Sequence, residues 1–157
     1  DQEPNHGSAP DDAPSEQKAM ELLTSFVKDT QIKPGRRSFF QYRDLGVEDA
    51  SKGRMRANIS SSIEGMTEST GWHYHICDMQ FVYLMKGQVV IEFENGTVAT
   101  FGPGDAMFIP GGTRHNEVYV SGDKVSLEVC IPAKMGTVPC ERPAGLPDQL
   151  RPVSNDA

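Results

Sequence analysis

The sequence predicts an all-β domain, a barrel or a sandwich, on three observations. From residue 38 onward, nine short strand-like segments follow one another at close, regular spacing, and Gly, Pro, Asn and Asp punctuate them. Several alternate apolar with polar residues at period two, the pattern of a strand with one buried face. At 157 residues the chain is one ordinary domain, long enough to enclose a core without disulfides.

Residues 1–14 are rich in Asp, Pro, Ser, Asn and Gly with almost no apolar content. Such a segment cannot offset the entropy of ordering and is expected to be disordered. Ser15 is a fair N-cap with Glu16 in the first turn, and Ala19, Leu22, Leu23, Phe26 and Val27 share one helical face. An amphipathic helix is therefore expected over 15–28, packed on the outer sheet or on a second subunit and ending before Pro34-Gly35. Strands are expected at 39–43, 54–60, 71–76, 81–85, 89–94, 97–101, 106–109, 115–120 and 125–131. Glu94-Asn95-Gly96-Thr97 is the clearest hairpin, because Asn-Gly readily takes the positive φ angles of a two-residue turn. On 125–131 the apolar Val125, Leu127, Val129 and Ile131 alternate with Glu128 and Cys130, and the sequence leaves open which set faces inward. Pro132, Pro139, Pro143, Pro147 and Pro152 keep 133–157 out of central strands and predict an extended tail that wraps the domain or hangs free.

Chemistry concentrates between residues 71 and 115, which hold three of the four histidines. His73 and His75 lie two apart, so in a strand both imidazoles leave one face. Four residues separate His75 from Gln80 and six more lead to Gly87, fitting a strand, a short turn through Asp78 and a return strand. Then come Gly104, Pro110, Gly112 and His115, separated by five, one and two residues. Three imidazoles and an amide oxygen brought together across adjacent strands are a first shell for a divalent transition metal.

This arrangement resembles the cupin superfamily, whose two motifs read Gly, five residues, His-x-His, three or four residues, Glu, six residues, Gly, and then Gly, five residues, Pro-x-Gly, two residues, His, three residues, Asn. The chain departs from it in three places: Gly65 stands off the usual glycine spacing, Gln80 replaces the glutamate, and Tyr119 replaces the asparagine. The resemblance implies a double-stranded β-barrel of the jelly-roll kind over 36–132. The metal ligands it implies are His73, His75 and His115, with Gln80 carried over by position. It further implies a mononuclear enzyme, with O₂-dependent cleavage or oxidation of a small enolisable or phenolic compound the leading chemistry. A redox-neutral lyase, isomerase or cyclase and a non-catalytic, ligand-sensing module are the other readings.

Three imidazoles and a neutral amide leave the ion's charge uncompensated, which favours anionic ligands and suits Fe, Ni, Zn, Cu or Mn better than Mg or Ca. Glu117 and Tyr119 are the acid–base candidates, since a regular strand from His115 turns both to the ligand side. Trp72, Tyr74, Phe81, Tyr83 and Met85 read as packing against a second sheet or a partner subunit. A homodimer is expected, because the helix at 15–28 and the apolar side chains around Tyr83 and Met85 offer more apolar surface than a lone small barrel covers, and because the resemblance implies it.

The net charge of −7 resides largely in the first sixteen residues, which carry five acidic and no basic side chains. The remainder, 15 basic against 17 acidic, has no electrostatic footprint for nucleic acid or an anionic membrane. Cys77, Cys130 and Cys140 are odd in number and form no close pair in sequence, which favours a reducing, cytoplasmic location; a leader removed earlier is compatible with this. Cys77 continues the 73, 75 alternation and reads as a small buried residue at a strand end. No apolar run reaches the ~18 residues of a membrane span, and the expected partner is a small-molecule substrate.

Overall fold

The structure, a computed structural model, describes residues 20–35 and 37–154. Twelve strands form there: β1 (Ile32–Pro34), β2 (Phe40–Asp44), β3 (Arg56–Ser62), β4 (His73–Ile76), β5 (Met79–Lys86), β6 (Val89–Phe93), β7 (Thr97–Phe101), β8 (Ala106–Pro110), β9 (His115–Val120), β10 (Val125–Ile131), β11 (Gly136–Pro139) and β12 (Arg151–Ser154). They make two six-stranded sheets, ordered β1-β2-β3-β10-β5-β8 and β11-β4-β9-β6-β7-β12. The fold is the expected all-β jelly roll.

All nine expected strands are present within a few residues of their predicted ends. Three further strands and a four-residue helix, α1 (Val47–Ala50), were not read from the sequence. The extra strands contain Pro34, Pro139 and Pro152, and all three occupy outermost positions of the sheets, where a missing N–H breaks no ladder. The C-terminal tail thus borders the second sheet on both sides: β11 pairs antiparallel with β4, and β12 runs parallel to β7.

Three expectations need correction. Residues 20–26 form no helix, and only Val27–Asp29 make a single 3₁₀ turn; 15–19 and the tail at 1–14 lie outside the described residues. The apolar face has little to pack on, since Leu22 is 97 % and Val27 72 % exposed, and a short helix without tertiary support is marginal. The segment is tethered instead by Glu21 N–H donating to Ala50 O (2.9 Å) and by Leu23 lying against Gly46. In the β6–β7 hairpin only Gly96 takes a positive φ (+88°). Asn95 keeps the ordinary hand, and its Oδ1 accepts from the N–H and the hydroxyl of Thr97. Finally, the chain leaving β4 at Cys77 does not return beside it, because β5 belongs to the opposite sheet.

That crossover is what assembles the site. Gly111 and Gly112 donate their N–H groups to Asp78 O (3.0 Å) and His75 O (2.9 Å), pressing the turn before His115 onto the segment between His75 and Gln80. A Cβ at Gly111 would collide with the Cys77 carbonyl, and Gly112 has φ +83°, so this turn needs both glycines. Between the sheets, Phe40, Leu84, Val89, Ile91 and Val120 form the apolar core. Each such buried aliphatic side chain contributes roughly 1.5–3 kcal/mol.

Candidate metal centre

His73 and His75 leave one face of β4, and β9 sets His115 directly opposite His73. Ring centroids stand 4.4 Å apart for His73–His115, 5.0 Å for His75–His115 and 5.2 Å for His73–His75. One donor atom from each lies within 4.8 Å of the others, and all three residues are buried. Nitrogens bound at ~2.0–2.1 Å to one ion are separated by roughly 3–4 Å, so small rotamer adjustments bring the three onto a single centre.

The outer hydrogen bonds orient the rings. His73 Nδ1 is 2.8 Å from Gly71 O and His115 Nδ1 is 2.9 Å from Thr113 O. A carbonyl only accepts, so both Nδ1 atoms carry the proton and Nε2 is left as the electron-pair donor facing the cluster. His75 Nδ1 lies 2.9 Å from Thr137 Oγ1, on tail strand β11, so the tail holds one of the rings.

Gln80 projects from β5 of the other sheet and lines the same cavities as His75. Its Oε1 is buried without a hydrogen-bond partner. Buried carbonyl oxygens are nearly always satisfied, so an unpaired one beside three histidines suits a cation ligand. The three donors and this oxygen therefore fit the divalent transition metal expected from the sequence.

A cavity of about 380 Å³ opens beside the cluster. Lys33, Arg37, Tyr42, Arg56, Asn58, Glu117 and Glu128 are among the residues that line it. A smaller chamber of about 40 Å³ continues into the barrel, where Glu117, Glu128, Ser126 and Lys124 meet the apolar core. Glu117 stands where the sequence put it. Tyr119 does not: it is 41 % exposed and lines neither chamber. The cause is a bulge, since Ile91 pairs with Glu117 while Val90 pairs with Tyr119, leaving Val118 extra and reversing the alternation beyond it. Val120 takes the inward position and is 1 % exposed.

On β10 the polar set faces inward, with Ser126 and Cys130 buried and Glu128 in the cavity wall. On β3, Arg56 and Asn58 line the cavity and Ser60 is buried. Ser60 Oγ accepts from Lys124 Nζ at 2.6 Å, and that ammonium also sits 4.2 Å from the Phe40 ring centroid. Burial holds the Glu128 carboxyl above the ordinary carboxylate range, with Glu117 pushing the same way and Lys124 and Arg56 opposing. Burial lowers Lys124, against the pull of Glu128 and Glu117. Glu128, Lys124 and Arg56 were not singled out from sequence. Their signal was polar alternation on two strands, Arg56-Asn58-Ser60 and Ser126-Glu128-Cys130, which pair in the register Arg56 to Cys130 and Asn58 to Glu128. Phe81, Tyr83 and Met85 point away from the cavity, with Phe108, onto the outer face of the first sheet, where they are 38–61 % exposed.

The cupin domain family matches residues 62–132. Comparison with curated proteins finds no match in sequence. Among solved structures, the chain is similar to the polyketide cyclase RemF from Streptomyces resistomycificus, with a TM-score of 0.60 and 20 % identity over 82 % of this chain and 89 % of that one. The nucleoside dehydratase Pac13 of Streptomyces gives a TM-score of 0.55 and 16 % identity over 77 % and 94 %. An RmlC-like cupin from Shewanella frigidimarina NCIMB 400 gives 0.54 and 16 % over 74 % and 96 %. At these identities the likeness is one of fold.

Proposed function

We propose, for a chain whose residues 62–132 are a cupin domain, that it is a mononuclear metal-dependent enzyme moving protons on a small, oxygen-rich, enolisable substrate: a redox-neutral lyase, isomerase or cyclase. The observation that carries this reading is the pair of cavity-facing carboxylates, Glu117 and Glu128, with buried Lys124 beneath them. His73, His75 and His115, with the Gln80 amide oxygen, would hold one divalent transition metal, and that ion supplies Lewis acidity toward a substrate oxygen. The side chains do the rest. Glu128, whose affinity for its proton is raised by burial, is suited to donate it. Glu117, in the wall of both chambers, is placed to accept one. Tyr42, Asn58 and Arg56 orient the polar groups of the substrate across the cavity.

Cyclase and dehydratase chemistries are both named for folds of this kind, so such a barrel accommodates them. O₂-dependent oxidation is the second reading, favoured by the all-neutral ligand set, which leaves coordination positions and charge for an anionic substrate. A substrate screen on metal-loaded protein, run with and without O₂, separates the two. The first reading expects turnover independent of O₂ and reduced ~10²–10⁴-fold in Glu128→Gln, the range of a lost general acid. Turnover that stops without O₂ establishes the second reading, and tight ligand binding without turnover establishes a sensory module.

The partner of the outer face of the first sheet is proposed to be a second copy of the chain, because Met79, Phe81, Tyr83, Met85 and Phe108 leave more exposed apolar surface together than a monomer ordinarily carries. No described helix is long and apolar enough to cross a membrane.

A further inference from the structure

Cys77 and Cys130 are far apart in sequence, and the crossover between the sheets brings them together. Asp78 N–H donates to Ile131 O at 2.8 Å, and the β5–β10 register sets Gln80 opposite Cys130. The Cys77 and Cys130 side chains are neighbours in the fold. Both are free, and neither belongs to the histidine cluster. Cys130 is 3 % exposed, whereas Cys77 is half-buried. Two adjacent thiols with such unequal access suit stepwise exchange, one sulfur meeting the reagent and the other resolving the product.

We propose that Cys77 and Cys130 are a dithiol site that reacts with low-molecular-weight disulfides and closes to an intramolecular disulfide, tying the β4–β5 crossover to β10. In the first step the Cys77 sulfur attacks one sulfur of the reagent. Its S–S bond breaks, one half departs as a thiol, and the other half stays on Cys77 as a mixed disulfide. In the second step Cys130 attacks the Cys77 sulfur, the mixed disulfide breaks and the second thiol leaves. In sum, two protein thiols are oxidised, one reagent disulfide is reduced to two thiols, and the two protein protons end on those thiols. His75 lies two residues before Cys77 and Gln80 three after it, so closure restrains the segment that joins two of the proposed ligands.

The test uses the full chain under native conditions with oxidised glutathione, followed by alkylation of free thiols, intact mass and peptide mapping. Wild type is expected to lose two titratable thiols and two hydrogens, to yield a linked Cys77–Cys130 peptide, and to leave Cys140 alkylated. Cys130→Ser and Cys130→Ala should stop at one retained glutathione on Cys77, and Cys77→Ser should not react at that site. Dithiothreitol should restore the starting mass. Wild type that retains glutathione on Cys77 without closing, that links Cys140 instead, or that keeps all three thiols overturns the proposal. These outcomes do not depend on metal or turnover, so they stand apart from the test of the enzymatic reading.

Discussion

Replacing Gln80 by Leu removes a buried oxygen that has no hydrogen-bond partner while keeping a side chain of similar volume. An unsatisfied buried polar group costs about 1–3 kcal/mol, and a swap that conserves volume costs less than ~1.5 kcal/mol in packing. In metal-free protein the variant is therefore expected to be more stable by about 1–2 kcal/mol, or roughly 2–8 °C in Tm at ~2–4 °C per kcal/mol for a domain of this size. The sign reverses with metal present. If Gln80 donates to the ion, the variant loses a ligand and binds more weakly, and each tenfold loss of affinity removes ~1.4 kcal/mol of metal-dependent stabilisation. Gln80→Glu runs the opposite way: a carboxylate is the stronger ligand, so metal is held more tightly, whereas the metal-free protein is destabilised by a buried charge. Thermal melts with and without Zn or Co, together with chelator competition, measure all four quantities. If the Leu variant matches wild type in metal-free Tm and in metal affinity, the unpaired oxygen does not serve the ion, and the reasoning fails.

Lys124→Met removes the cation that attracts Glu128 and Glu117 and takes from Ser60 its donor; losing a buried hydrogen bond made by a charged group costs about 1.5–3 kcal/mol, which urea melts of variant and wild type would measure. The folded state binds the Glu128 proton more tightly than the unfolded chain does, so this group's contribution is fully present below its ordinary value of 4.5 and lost as pH rises through its elevated folded value. Metal-free Glu128→Gln should accordingly gain on wild type as pH rises above ~4.5 and converge with it in acid, which urea melts at stepped pH would check. Phe81→Glu/Phe108→Glu places two like charges opposite one another on the outer face, and sedimentation should find monomers where wild type sediments as a dimer; a wild-type monomer at micromolar concentration removes the dimer reading.

The barrel and its histidines were legible because they rest on local chemistry. Period-two alternation marks strands, Pro-Gly-Gly marks the turn before His115, and two residues between imidazoles put His73 and His75 on one face. What escaped depends on contacts distant in sequence. The edge strands are short and proline-bearing, and they form because β2, β4 and β7 offer them open ladders. The segment at 20–26 has helical spacing but no surface to bury it against. Tyr119 was misplaced because a one-residue bulge on β9 is specified by the pairing with β6, which a single strand does not encode.

The direction of β10 was the most consequential ambiguity. Alternating strands ordinarily turn their apolar side to the core, yet here Leu127 and Val129 face outward beside Phe81 and Tyr83, their partners in the β5 register. Inside, the cost of the buried Glu128 and Lys124 is offset by their attraction and by Ser60, and outside, an apolar surface is left exposed. A monomer selected for stability alone would reverse both choices, since buried charged groups are often less favourable than apolar packing of similar volume. An interior kept polar in the chamber that continues from the histidine cluster is explained if the chamber handles protons or polar substrate, and an exterior kept apolar is explained if a second copy covers it. The two features require each other, because the β10 register that turns Glu128 toward the cavity is the one that turns Leu127 and Val129 onto the outer face beside Phe81 and Tyr83. A substitution that disrupts pairing of the outer face is therefore expected to perturb the cavity wall through β10, lowering turnover as well as the oligomeric state, whereas Phe108, on edge strand β8 and remote from β10, should affect assembly alone.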